Sequence, residues 1–272
     1  MRAGDLFRVD GLVVAITGAA SGIGLAYAEV MAANGAFVTM IDIDRGALEP
    51  AVERLSNEGG RVFGAVADVT TRDQMRAVFD GVVTRHGRLD VLFANAGISG
   101  GPGFLRAEGG RNPDAAFENL RLADLERVMA VNVASVFQSI QLVIPQMKRQ
   151  SAGKIIVTSS VCSYRPDPHI GAIYLASKGA VGQLVRQLAL ELAEYNILVN
   201  AIAPSSVITN IAGGRLKSSE ARVPFERSCP LRRLAVPDDM KGAALLLASS
   251  ASSFITGTQV VIDGGTTLGA IG

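Results

Sequence analysis

A chain of 272 residues with 26 basic and 25 acidic side chains has a formal charge of +1 and no basic run, which leaves a nucleic-acid surface unsupported. Two cysteines, Cys162 and Cys229, make no disulfide framework, and His86 and His169 stand too far apart in sequence to suggest a metal-ligand cluster. Residues 1–10 lack the apolar centre of a signal peptide and no long uninterrupted apolar span follows, so a soluble, cytoplasmic protein with no membrane association is expected.

The first element, residues 12–16, is a short apolar run that reads as a buried strand. Gly18, Gly22 and Gly24 follow as the chain turns into a helical pattern beginning at Leu25. Without Cβ atoms these glycines permit a tight turn and close approach of a ligand. The N–H groups at the start of the next helix then face an anion, which the helix dipole also favours. Flexible loops collect glycine too, but one placed between strand and helix is what a dinucleotide-binding βαβ unit requires. A second strand, 36–41, ends at Asp42. A carboxylate there accepts hydrogen bonds from an adenosine ribose and repels a 2′-phosphate. Ile43 follows, not an arginine, and Arg45 after Asp44 reads as a helix start facing water, so NAD is favoured over NADP.

Further along, a helix at 46–57 contains Pro50, an unfavourable interior residue. After strand 61–66, Thr71-Arg72-Asp73-Gln74 reads as a capping box opening a helix with Met75, Val78, Phe79 and Val82 on one face. Strands at 89–94, 154–158, 197–203 and 258–262 complete a set of seven, and Pro237-Asp238-Asp239 opens a late helix. Several strands are continuous apolar runs, as expected of a sheet covered on both faces. Strands and helices alternate without a linker. The expected architecture is therefore one α/β domain over residues 1–272, a Rossmann-like doubly wound parallel sheet with helices on both faces.

Tyr174 and Lys178 lie four apart in a helix expected from about 170 to 194, so both project toward one spot. A free tyrosine has a pKa of about 10, and a nearby cation favours the phenolate, which makes the pair a candidate acid/base device. The same helix is apolar on more than one side, through Val181, Leu184, Val185, Leu188, Leu190 and Leu192. One side can pack on the sheet while the other meets a partner subunit or lies under a local loop.

Thr17-Gly-x-x-x-Gly-x-Gly together with Tyr174-x-x-x-Lys178 resembles the short-chain dehydrogenase/reductase family. Asp68 after a strand, Asn95-Ala96-Gly97, Asn132, Ser159-Ser160 and Asp263-Gly264-Gly265 follow in the family's order, over about residues 10–268. The resemblance implies catalytic roles for Ser160, Tyr174, Lys178 and Asn132, with Ser159 and Ser163 as rivals to Ser160. Asn132 would continue a proton relay through water to Lys178, and Lys178 would also hold the nicotinamide ribose. Gly18, Ser21, Gly22, Ile23, Gly24, Asp42, Asp68, Val69, Asn95, Gly97, Val207 and Thr209 would bind the dinucleotide together with Tyr174 and Lys178. Ser205 stands where the family usually has glycine after proline. The resemblance also implies a substrate lid at about 208–230, polar and irregular, and a homo-oligomer, dimer or tetramer. The connection at 98–120 is about a dozen residues longer than the family's minimal one.

The expected activity is that of an NAD-dependent enzyme acting on a small-molecule secondary alcohol of the cyclic or polyol kind. An NADPH-dependent carbonyl or oxoacyl-thioester reductase is the runner-up. A non-enzymatic dinucleotide sensor is the rival from another class.

Overall fold

The computed structural model describes residues 3–106 and 109–269. A short helix, α1 (Ala3–Leu6), precedes β1 (Val13–Thr17), α2 (Gly22–Ala33), β2 (Phe37–Asp42), α3 (Arg45–Asn57), β3 (Arg61–Val66), α4 (Arg72–His86) and β4 (Val91–Ala94). The second half runs through α5 (Leu122–Met129), α6 (Ser135–Gln150), β5 (Gly153–Thr158), α7 (Ala172–Leu192), β6 (Ile197–Pro204), α8 (Ser219–Ser228), α9 (Lys241–Ala248) and β7 (Gln259–Ile262). All seven expected strands form, each boundary within two residues of its expected place. They make one sheet in the order β3-β2-β1-β4-β5-β6-β7, and every pairing is parallel. The order reverses between β1 and β4, which opens a crevice at the carboxyl ends of those strands.

Alternation along the strands builds two cores. In β1, Val14 and Ile16 point to the layer of Tyr27, Met31, Leu48, Met240 and Leu247. Val13 and Ala15 point to the opposite layer, with Phe79, Ile140, Met147, Val185 and Ala189. Successive Cβ atoms on a strand face opposite ways, so a sheet covered by helices on both sides needs apolar residues at every position. All five residues of β1 are buried.

Local expectations met different fates. Pro50 sits inside α3, yet the helix forms. The Asp44 carboxylate caps it by accepting from Ala47 N at 3.1 Å, and Leu48, Ala51 and Leu55 are buried along one face. Cap and burial offset a proline cost of about 3 kcal/mol. The capping box at Thr71 does not form, because Thr71 caps with no side-chain hydrogen bond. Gln74 Oε1 instead accepts from Asp68 N at 2.8 Å, tying the helix to the preceding strand end. The segment after Thr209 is irregular at first, as expected, with left-handed backbone at Ala212, Gly213 and Gly214, and then becomes helical in α8.

Asn132 lies in a π turn, Ala130–Ala134, between α5 and α6. The combined run Leu122–Gln150 is long and apolar enough to cross a membrane by length and composition, contrary to the expectation that no such span exists. Its stripe of Val128, Val136, Ile140, Val143 and Met147 is buried, so that apolar character is spent on the core of this domain. Ser205 has no left-handed backbone, so the position does not require glycine.

Asn95 ties the sheet together at the crevice. Its Nδ2 donates to the carbonyls of Thr17 (3.0 Å) and Gly18 (3.2 Å), and its Oδ1 accepts from Thr158 Oγ1 at 2.9 Å. Replacing Thr158 by valine keeps the shape and removes that donor. The expected loss is about 1–3 kcal/mol, read as a lower urea midpoint with unchanged slope. An unchanged midpoint would show that Asn95 is satisfied in another way.

Candidate functional site

The glycine-rich turn is shaped by contacts that exclude side chains. Gly18 has φ +66°, and a Cβ on Gly24 would lie 2.0 Å from Gly18 O and 2.6 Å from Asn95 Nδ2. Ser21 precedes α2 without a side-chain cap, leaving the first N–H groups of α2, those of Gly22 and Ile23, for another acceptor. Thr209 stands across the turn, its methyl 3.2 Å from where a Cβ of Gly22 would be. Val207, two residues earlier, is buried and bridged to Ala235. Asp42 closes the other side: Oδ2 accepts from Ala20 N at 2.9 Å and Oδ1 from Asp44 N at 3.0 Å. Ile43 beside it is exposed, and Arg45 pairs with Glu49 at 2.8 Å on the outer face of α3. Asp68 Oδ1 accepts from the N and Oγ1 of Thr70 at 2.8 and 2.7 Å, while the Val69 carbonyl accepts from Gln138 Nε2.

A second group converges at the ends of β4 and β5. Lys178 is buried, and its Nζ donates to the Thr158 carbonyl at 2.8 Å while lying 5.6 Å from the centre of the Tyr174 ring. A Cβ on Gly97 would be 3.4 Å from Asn132 Oδ1 and 3.8 Å from Lys178 Nζ, so these three share one corner. Asn132 is committed at both ends of its amide. Oδ1 accepts from Ile98 N at 2.8 Å, and Nδ2 donates to Ile98 O at 3.0 Å and Ser177 Oγ at 3.1 Å.

The three serines separate clearly. Ser159 and Ser163 both donate to Gln259 Oε1, each at 2.8 Å, at the start of β7. Ser160 instead lies beside the Tyr174 phenol, and its Oγ donates to the Pro204 carbonyl at 3.4 Å. Its Oγ also accepts from Cys162 N at 3.1 Å.

Burial governs the proton affinities here. The Tyr174 phenol is pushed above its ordinary value, first by desolvation and then by the Cys162 thiol, with the Ser160 hydrogen bond pulling the other way. The expected lowering by Lys178 is not among the influences on the phenol, where burial dominates. Desolvation also drops Lys178 to about 8, against an ordinary 10.5, with the Cys162 thiol opposing. Cys162 itself is pushed up, chiefly by burial.

The extended connection after Gly97 is laced to the loop that leads into Tyr174. Gly103 N donates to His169 O at 3.0 Å, Leu105 N to Pro168 O at 2.9 Å, and Gly171 N to Gly101 O at 3.2 Å. A Cβ on Gly103 would lie 2.2 Å from the Pro168 carbonyl, and one on Gly100 would lie 2.6 Å from Tyr174 N. Ala107 and Glu108 lie outside the described residues.

Sequence reasoning did not single out Thr158, Gln259 or Cys162. Thr158 was legible only as the last residue of a strand. Gln259 owes its place to the β6–β7 register, which sets Ala201 opposite it. Cys162 was read only as a thiol without a partner.

Free Lys178 should titrate near 8 by NMR of its Nζ or ε-carbon, well below the 10.5 of an exposed lysine. The unfolded chain holds that proton up to about 10.5, so between these limits it binds more protons than the native state. The contribution of Lys178 to stability therefore rises with pH from about 8 to 10.5. A midpoint at the ordinary lysine value would show an ammonium that is still hydrated.

The family model described as enoyl-(acyl carrier protein) reductase matches residues 18–267. The chain is 37% identical over 258 residues to the 3-oxoacyl-[acyl-carrier-protein] reductase FabG of Thermotoga maritima, covering 95% of this chain and 98% of that one. A solved 7α-hydroxysteroid dehydrogenase complexed with NADH and 7-oxo glycochenodeoxycholic acid superposes with a TM-score of 0.86 at 34% identity, covering 97% of this chain and 98% of that one. A gluconate 5-dehydrogenase from Burkholderia cenocepacia J2315, in complex with NADP and tartrate, gives the same TM-score and identity over 98% and 99% of the two chains. With the family model matched over residues 18–267 and relatives more than 30% identical over nearly the whole chain, the chain belongs to the short-chain dehydrogenase/reductase family.

Proposed function

We propose that the protein is an NAD-dependent oxidoreductase that interconverts a secondary alcohol and its ketone. The observation that carries the reading is the convergence of Ser160, Tyr174 and Lys178 at the crevice where the strand order reverses, beside a glycine-rich turn. The residues fit a dinucleotide: Gly24 leaves no room for a side chain, the start of α2 is uncapped, and the Asp42 carboxylate stands at the end of β2. In this reading Gly18, Ser21, Gly22, Ile23 and Thr209 surround the pyrophosphate, Asp42 takes the adenosine ribose, and Asp68 and Val69 border the adenine. Asn95, Gly97 and Val207 line the nicotinamide end. When bound, the nicotinamide accepts or supplies the hydride.

The chain's own groups handle the proton. Tyr174 Oη gives a proton to the carbonyl oxygen during reduction and takes it from the hydroxyl during oxidation. Ser160 Oγ hydrogen-bonds the same substrate oxygen and holds it against the phenol. Burial keeps the free enzyme's phenol protonated, and the Lys178 ammonium nearby is the group that favours phenolate when oxidation requires it. Asn132 braces the Ile98 turn at the corner that Lys178 Nζ shares, where a water can link the two in a relay. The segment 208–230, carrying α8, covers the substrate as a lid on a single catalytic domain. Phe137 on α6 and Leu190 on α7 remain 52% and 77% exposed, which supports association of copies through these helices as a dimer or tetramer in the cytoplasm.

A reductase using NADPH is the second reading, and the resemblance to an oxoacyl reductase favours it. Against it, Arg45 is engaged by Glu49, and no cation pairs with Asp42 among the described residues. A sensor without catalysis is disfavoured by the complete proton-handling group.

Turnover of a panel of secondary alcohols with NAD tests the reading. Tyr174→Phe should abolish activity and leave dinucleotide affinity nearly intact, whereas Lys178→Met should damage both. Ser160→Ala should cut turnover by about 10²-fold, and Ser163→Ala much less. A folded Tyr174→Phe variant with near-normal activity would overturn the mechanism.

Cofactor choice gives a separate test. At an effective dielectric near 20, each pair of unit charges 4 Å apart costs about 4 kcal/mol before screening. Wild type should therefore favour NAD over NADP in kcat/KM by about one to three orders of magnitude, once rearrangement and salt are included. Asp42→Ala should narrow the ratio, and adding Ile43→Arg should narrow it further by offering a phosphate partner. A wild-type preference for NADP would assign the site to another cation.

A further inference from the structure

Gln259 opens β7, the edge strand of the sheet, and the proton-handling group as described so far makes no use of it. Its Oε1 accepts from Ser159 Oγ and from Ser163 Oγ, each at 2.8 Å. These two serines stand at either end of the turn that carries Ser160. Ser160 itself has extended backbone, φ −167° and ψ 160°, which sends consecutive side chains to opposite sides. Ser159 therefore reaches toward β7 while Ser160 lies beside the Tyr174 phenol.

The turn closes on Ser160. Cys162 N donates to Ser160 Oγ at 3.1 Å, and Ser163 N donates to Ser160 O at 2.9 Å. Both ends of this closed turn are fastened to one oxygen of β7. Ser159 Oγ has a second acceptor in the Ile202 carbonyl at 3.3 Å, but Ser163 Oγ has no other among the described residues. The helix that carries the tyrosine completes the arrangement. Gly182, one turn beyond Lys178 on α7, is buried. A Cβ there would lie 3.0 Å from Ser163 Cβ and 3.2 Å from Gln259 Nε2. The missing side chain lets the amide and the end of the serine turn lie against the helix that presents Tyr174 and Lys178. The serine turn, β7 and α7 thus meet at one amide.

We infer that Gln259 is a positioning residue: by accepting from Ser159 and Ser163 it holds the turn between them and so fixes Ser160 Oγ beside the Tyr174 phenol. Without that acceptor, two hydroxyl donors in a largely buried place must find other partners, and the turn loses its tie to β7. The inference rests on the oxidoreductase reading and adds a residue that acts through Ser160.

The test combines turnover of the best secondary alcohol with amide hydrogen exchange. Gln259→Leu should lower kcat by about 10-fold and leave dinucleotide affinity unchanged, since only the hold on Ser160 is lost. Removing both donors, in a Ser159→Ala and Ser163→Ala double variant, should match it within a few-fold. Gln259→Glu keeps an acceptor oxygen for both hydroxyls and should recover most of the loss. In a Ser160→Ala background, Gln259→Leu should cost less than about twofold more, because residues that act as a unit are not additive. Exchange needs no turnover: the Cys162 and Ser163 N–H groups should exchange about 10-fold faster in Gln259→Leu and stay protected in Gln259→Glu. The inference falls if Gln259→Leu keeps full kcat, if its loss is undiminished without Ser160, if Gln259→Glu does no better than Gln259→Leu, or if the exchange rates do not move. A folded and active Tyr174→Phe variant would instead sink the oxidoreductase reading, while the exchange rates still judge the hold of Gln259 on the turn.

Discussion

Thr158 holds both halves of the site through opposite ends of one residue. Its carbonyl accepts from Lys178 Nζ and its hydroxyl donates to Asn95, which in turn holds the carbonyls of Thr17 and Gly18. A chain of hydrogen bonds thereby runs from the helix that carries Tyr174 to the glycine-rich turn. These groups are largely buried, so each bond is made in a low dielectric and each missing partner is costly. The distance between the Tyr174–Lys178 pair and the glycine-rich turn is set at the end of β5, not by the loops that surround them.

The surroundings of Ser160 follow the same logic of exclusion. Three serine hydroxyls lie within five residues, and Gln259 removes two of them by accepting from both. One serine is left to face the phenol. Selection by a competing acceptor requires no special property of Ser160 itself. It depends on β7 pairing in the register that sets Gln259 beside β6.

How much of this was legible in the sequence follows from the range of each interaction. Strands of continuous Val, Ile and Leu, the three turn glycines and the Tyr174–Lys178 spacing are local signals, and the sheet and its crevice are where they pointed. The capping box failed because Gln74 found a partner outside its own helix, at Asp68 N, which a four-residue pattern cannot show. Pro50 did not prevent the helix expected at 46–57, since the burial of Leu48 and Leu55 outweighs one lost backbone bond. Tyr174 was expected to feel its cation first. In the fold, desolvation acts more strongly, and desolvation is a property of packing that no spacing encodes. Gln259 belongs to the same class, defined by what distant segments bring near it.

The lacing of the extended connection to the tyrosine loop uses backbone groups on both sides. Its grip is therefore indifferent to most side chains, Gly100 and Gly103 excepted, where added carbon would meet backbone. Phe104, Arg106 and Arg111 can then be exchanged while the scaffold under Tyr174 keeps its shape. Such a division separates the part of the loop that bears mechanical load from the part that meets the solvent-side cleft. A lineage carrying it is free to explore new molecular shapes at the mouth of the crevice without re-inventing the chemistry at its base.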